Sequence, residues 1–225
     1  MDPLPGLVST QEVGALLGVT EQQVRRLAEA GAINRVARGL IDRQSVERYL
    51  ASGRGGRTRV WAETTAWGAI ALLSGRPAEW LTPAQASRVR LTLRATQDPR
   101  ELAARLRGRA TVSTYAGDFT AEAVIQERLD DPDGLGPLLV GTRPGHLDGY
   151  IAADELSRIV RILEMRPDPD GTITLRSTSF DMARVRRLSE ASPVLAACDD
   201  VASMDQRRRA DAECALGAAL QVVPG

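Results

Sequence analysis

Three long polar side chains, Gln22, Gln23 and Arg26, crowd into the segment TEQQVRRLAEAG that begins at Thr20. If this segment is a helix, Val24 and Leu27 share one face and the three polar residues stand away from it. A glutamine amide pairs its donor and acceptor with adenine, and an arginine fork matches guanine. Each such pair is worth about 1–3 kcal/mol of base discrimination. The chemistry expected of the segment is therefore the reading of double-stranded DNA, with the turn at Thr20 entering the major groove. Arg25, Arg35, Arg38 and Arg43, with Arg54, Arg57 and Arg59 further on, are suited to phosphate oxygens, which fix position without carrying sequence. The competing reading makes Arg25 and Arg26 solvated helix residues paired with Glu21 and Glu29, and the later arginines a solvated run.

The elements that must hold this segment are legible on both sides of it. Ser9 with Glu12 forms a capping box, after which Val13, Leu16 and Leu17 recur at helical spacing until Gly18. Thr20 with Gln23 opens a second helix two residues later, and Gly31 is placed to end it. Residues 32–42 alternate apolar and polar about Arg38-Gly39, as a short hairpin does. A third helix is expected over roughly Gln44–Ala51, closing the unit with Val46, Tyr49 and Leu50. This order, two capped helices around a glycine-containing turn and then a hairpin, is that of a winged helix-turn-helix.

Three glycines and three arginines between Ser52 and Arg59 cannot build a core, so residues 54–60 read as a basic linker between residues 1–53 and residues 61–225. Beyond it, an apolar stretch from Trp61 to Leu73 and two N-caps followed by proline, Thr82-Pro83 and Asp98-Pro99, predict a helical segment. From residue 110 the pattern turns mixed. Strands are expected at 110–116, 137–142, 148–152 and 172–178, and helices at 120–129, 154–165, near 192–203 and at 205–220. Pro167 is placed to stop the helix at 154–165. The predicted class is α+β, with an N-terminal winged helix-turn-helix, a helical middle and a C-terminal mixed α/β domain for partner binding or oligomerisation.

The zero net charge conceals a division. Residues 1–109 hold 17 arginines and 10 carboxylates, while residues 110–225 hold 12 arginines and 19 carboxylates. The first half is thus fitted to face phosphate and the second to avoid it. A hydrophobic share of 43 % excludes a disordered chain. No apolar run is long enough to span a bilayer, and MDPLPGLVST lacks the basic-then-apolar order of a secretory signal. Cys198 and Cys214 read as reduced thiols on helix faces, so the cytosol is the expected compartment.

The segment LVSTQEVGALLGVTEQQVRRLAEAGAI, continuing to IDRQSVERYL, resembles the DNA-binding domains of excisionases and MerR-like regulators over residues 7–52. The likeness rests on the capped first helix, Leu17-Gly18-Val19-Thr20 at the turn, Val24 and Leu27, and Gly31. It departs at Gly14, where the family usually has alanine, and at Gly39-Leu40, where the wing usually carries an aromatic and a basic residue. Arg35 and Arg38 are then the remaining phosphate contacts of the wing. The later segments WGAIALLSGRPAEWLTPAQASRVRLTLR, RGRATVSTYAG, LDGYIAADELSRIV and DPDGTITLRS are similar to regulators of the AbiEi antitoxin kind. That similarity implies a repressor of its own operon whose C-terminal part neutralises a nucleotidyltransferase toxin. The alternative is a stand-alone regulator or excisionase-like recombination factor with a C-terminal ligand or partner domain. A unit this small binds DNA weakly as one copy, so a homodimer or help from residues 54–109 is expected.

Catalysis is not expected, nor is a cofactor or a metal. His146, the only histidine, reads as a surface residue, and Asp130, Asp131 and Asp133 as a solvated turn. No nucleophile elbow and no phosphate-cradling glycine loop is present in the sequence. Trp61, Trp67 and Trp80 are expected at helical positions in the core.

Overall fold

The computed structural model describes residues 6–29, 32–51, 58–117, 138–143, 146–203 and 205–223. They hold ten α-helices and two sheets, the mixed α+β class expected. Gly31, Arg54, Arg57, the helix expected at 120–129 and the Asp130–Asp133 turn lie outside them.

The N-terminal elements run β1 (Leu7–Ser9), α1 (Thr10–Leu17), α2 (Glu21–Glu29), β2 (Arg35–Ala37), β3 (Leu40–Asp42) and α3 (Arg43–Ala51). The Ser9 hydroxyl accepts from the Glu12 N–H at 3.1 Å and the Glu12 carboxylate accepts from the Ser9 N–H at 2.7 Å, so the capping box is complete. That bond to the Ser9 N–H, reinforced by the Ser9 hydroxyl, holds the Glu12 carboxyl below its ordinary value. Its contribution is present above the usual glutamate range and is lost as the pH falls through it. Gly18 closes α1 in the left-handed region at φ 65°, where a side chain would be strained.

Gly14 has a different reason for being glycine. A Cβ there would stand 2.9 Å from the Val19 carbonyl, part of the turn that aims α2. Helix propensity alone favours alanine at this position, but the backbone contact decides the sign. Gly14→Ala is expected to destabilise the unit by about 1–3 kcal/mol, measured as a lowered midpoint in urea; a raised midpoint would show that the turn yields.

Sequence reading missed β1, a three-residue strand that pairs antiparallel with β3 and makes the hairpin a sheet of order β1-β3-β2. Val8, Val13, Leu17, Val24, Ile33, Ile41 and Val46 fill the space between this sheet and the helices. Leu50 does not close the unit as expected; it is 39 % exposed on the outer side of α3, while Tyr49 packs inward. The arrangement is compatible with a winged helix-turn-helix.

The later residues form α4 (Glu63–Leu73), α5 (Pro83–Ala95) and α6 (Pro99–Leu106), a 3-10 turn at Arg107–Arg109, and then a five-stranded sheet. Its strands are β4 (Thr111–Ala116), β5 (Leu138–Arg143), β6 (His146–Ala152), β7 (Arg166–Pro167) and β8 (Ile173–Thr178), in the order β5-β6-β8-β4-β7. Only β6 and β8 pair in parallel, joined by a crossover through α7 (Ala153–Ile162). Strand periodicity divides the two faces of this sheet. Leu147, Ile151, Ile173 and Leu175 pack under α7 with Ile159 and Met165. Tyr150 turns the other way, into the cluster built by α4–α6 and by α8 (Met182–Ala191), α9 (Val194–Asp200) and α10 (Gln206–Gln221). α4 is buried without interruption from Ala66 to Leu73, which explains its lack of a polar stripe.

Several expectations are corrected here. The C-terminal helices are three rather than two. Asp181, accepting from the Arg184 N–H at 2.8 Å, caps the unanticipated α8. The helix expected at 154–165 ends at Ile162, ahead of Pro167. That proline lies in an edge strand, where its missing N–H costs no ladder bond. Of the tryptophans only Trp67 is helical. It is fully buried, stacks on Phe180 at 5.3 Å and donates to the Thr178 hydroxyl at 3.1 Å. Trp61 precedes α4 and Trp80 lies in the turn before α5, both half-buried. His146 opens β6, half-buried, with Nε2 3.4 Å from the Thr174 hydroxyl. Cys198 is buried on α9 and Cys214 exposed on α10, both as free thiols. Among the described residues no helix is long and apolar enough to cross a membrane.

Candidate nucleic-acid interface

α2 is anchored by one residue. Val24 is fully buried and Leu27 and Ala28 are half-buried against the same core, while Thr20, Gln22, Gln23, Arg25 and Arg26 are all exposed. The Thr20 hydroxyl accepts from the Gln23 N–H at 3.3 Å, fixing the first turn of the helix. Gln22, Gln23 and Arg26 therefore stand on solvent on a helix whose other face is held. Among the described residues nothing later in the chain covers them. Arg25 pairs with Glu21 at 3.4 Å, both more than half exposed, a contact of the weak surface kind. Arg26 makes no ion pair among the described residues, so the pairing with Glu29 is not formed.

The hairpin is tied to α1 by one backbone bond, from the Thr10 N–H to the Gly39 carbonyl at 3.0 Å. This bond brings Arg35 and Arg38 to the same side as α2. A groove of about 510 Å³ runs between them, lined by Arg25, Arg35 and Arg38 with Gln11, Ser9 and the single carboxylate Glu21. Gly39, at φ 80°, makes the turn between β2 and β3, so the expected loss of a bulky wing residue at that position reflects the turn itself. Val36, 56 % exposed between the two arginines, was not anticipated as part of this surface; it lies on the solvent side of β2 in a strand exposed throughout.

Arg43 opens α3, exposed, on the side of Glu12, whose carboxyl it helps to hold low. Arg59 is exposed and does not line the groove. The structure thus gathers Arg25, Arg35 and Arg38 around one groove beside the open face of α2, with Arg43 and Arg59 apart from it.

A second polar constellation lies in the later residues, and sequence reading missed it. Asp199 Oδ1 accepts from the Tyr150 hydroxyl at 2.9 Å and from Arg109 Nη2, and it is ion-paired to Arg176, whose Nε stands 2.8 Å away without making a hydrogen bond. Arg176 is also ion-paired to Asp148, and Arg109 donates to the Tyr150 oxygen at 2.7 Å and to the Leu106 carbonyl at 3.2 Å. The side chains of Arg109, Arg176 and Asp199 are each less than a tenth exposed. Burial would lower Arg109, but Tyr150 and Asp199 outweigh it and its pKa stands above the ordinary value. For Arg176 burial prevails and the pKa falls. Burial also raises the Tyr150 hydroxyl and pushes the neighbouring Cys198 thiol up to about 12, so that thiol is unreactive at neutral pH. The available signal was the alternation of TITLRST, which puts Arg176 in phase with Thr174 and Thr178 on the face shared with Tyr150.

Residues 4–40, from before β1 to the start of β3, match the family described as "Transcriptional regulator, AbiEi antitoxin". No curated protein and no solved structure matches the chain. The match covers α1, α2 and the hairpin turn. It supports a likeness to antitoxin transcriptional regulators, and the likeness to excisionases and MerR-like domains finds no support in it.

Proposed function

We propose that the chain is an antitoxin-type transcriptional repressor that places α2 in the major groove of its own operator and neutralises a nucleotidyltransferase toxin through residues 61–225. The observation that carries the DNA reading is the open polar face of α2 within the matched segment: Gln22, Gln23 and Arg26 exposed, Val24 fixed beneath them. Gln22, Gln23 and Arg26 read base edges, and Thr20 sets the turn that enters the groove. Arg25, Arg35, Arg38 and Arg43 hold phosphates, joined by Arg54, Arg57 and Arg59 of the basic segment. Two copies bind half-sites about 34 Å apart, one helical turn of DNA.

The roles of the two arginine groups separate experimentally. Arg35→Ala and Arg38→Ala are expected to weaken binding to every DNA sequence alike, each reducing the slope of log affinity against log salt by about one. A loss confined to the cognate site would assign the hairpin to base reading instead. For the toxin, the expected result is co-purification with the product of an adjacent nucleotidyltransferase gene, and rescue of growth when both are expressed. Growth unaffected by that neighbour, with or without this chain, removes the antitoxin half of the proposal and leaves the DNA half standing.

A further inference from the structure

The first residue of α2 is a carboxylate standing among guanidiniums. Glu21 opens the helix, ahead of Gln22 and Gln23, and is the only acid on the groove lined by Arg25, Arg35 and Arg38. Its charge opposes the phosphates that those three arginines attract. The ion pair with Arg25 engages one oxygen alone. Oε2 stands 3.4 Å from Arg25 Nη2, with the two side chains 51 % and 63 % exposed, and Oε1 accepts no hydrogen bond among the described residues. An exposed pair of this kind contributes little.

Glu21, Gln22 and Arg26 are the first, second and sixth residues of α2. At about 3.6 residues per turn they lie within its first two turns, the part of a recognition helix that meets base edges. This end of the helix is fixed in place. Val24 is buried beneath it, and the Thr20 hydroxyl accepts from the Gln23 N–H. An ionised carboxylate can only accept. In the major groove, guanine N7 and O6 and thymine O4 are acceptors and repel it. Adenine offers an amine beside the N7 acceptor, whereas cytosine offers its N4 amine with no acceptor next to it.

We propose that Glu21 accepts from the N4 amine of a cytosine in each operator half-site and, by its charge, holds down binding to other DNA. This rests on α2 being the helix that reads DNA. It adds to Gln22, Gln23 and Arg26 a contact that refuses three of the four bases.

The test is selection from random duplexes with the full-length parent, Glu21→Gln and Glu21→Asp, followed by affinities for the parent's site and for an unrelated duplex. The parent should select a cytosine within the site. Glu21→Gln should exchange that cytosine for adenine, because an amide pairs with adenine N6 and N7 together. Its affinity for the parent's site should fall about tenfold. Its affinity for unrelated DNA should rise about two- to fivefold, since one negative charge is gone. Glu21→Asp keeps the charge and loses the reach, so the cytosine preference should weaken while unrelated DNA is bound as by the parent. If Glu21 serves only Arg25 or the helix dipole, Glu21→Gln will select the parent's site unchanged and bind every sequence more tightly. That result overturns the proposal and leaves α2 as the reading helix. A parent that selects no sequence overturns both.

Discussion

Replacing Arg26 with alanine is expected to lower affinity for the cognate operator by about 1–3 kcal/mol while leaving binding to unrelated DNA nearly unchanged. The side chain is exposed, makes no ion pair among the described residues, and projects from a helix held by Val24. Its removal therefore disturbs neither the core nor a salt bridge, and any loss reports on the contact with DNA. Gln22→Ala should act in the same sense at a neighbouring base pair, and the two losses should nearly add if the bases are separate. A selection from random DNA makes the distinction visible: the Arg26 variant should recover the same site with one position relaxed. Equal losses for Arg26→Ala and Arg38→Ala on all sequences would contradict the separation of base-reading from phosphate-holding residues.

The second large effect concerns stability. Asp199→Ala should destabilise the later residues by about 3–5 kcal/mol, because it leaves Arg109 and Arg176 buried side by side with their shared carboxylate gone. The same physics predicts that the loss is not intrinsic to the site. Exchanging Arg109, Arg176, Asp148 and Asp199 together for apolar residues of similar size should recover much of the stability, since desolvating the ions consumes most of what their attraction returns. Urea unfolding of the single and combined variants measures both. An Asp199→Ala variant as stable as the parent would mean that water reaches the network freely.

The parts of this fold that the sequence made legible are those decided by local chemistry. The capping box at Ser9 and Glu12, the turn at Gly18, and the proline-led helices at Thr82 and Asp98 depend on residues within one turn of each other. The hairpin at Arg38-Gly39 is equally local, and the open face of α2 followed from the spacing of Val24 and Leu27 alone. What escaped reading depends on distant partners. β1 is three residues long and exists because β3 pairs with it. β7 is two residues containing a proline, held only by the edge of β4. The helix at Met182–Ala191 carries few apolar residues and is specified by its Asp181 cap and by burial of Val185 and Leu188. The network about Asp199 joins residues as far apart in the chain as Arg109 and Asp199, and only the folding of the sheet against α9 brings them together. Gly14 shows the same limit from the other side: in sequence it is only a departure from the alanine usual in the resembled domains, and the Val19 carbonyl behind it supplies the reason.

Recognition of DNA by the solvent face of α2 is open to direct measurement. A nuclease footprint over the promoter of the chain's own operon tests this directly, comparing the parent with a Gln22→Ala/Arg26→Ala variant that retains its fold. A protected site is expected for the parent and none for the variant at the same concentration. Protection that persists unchanged in the variant, or a parent that protects no site, would contradict it.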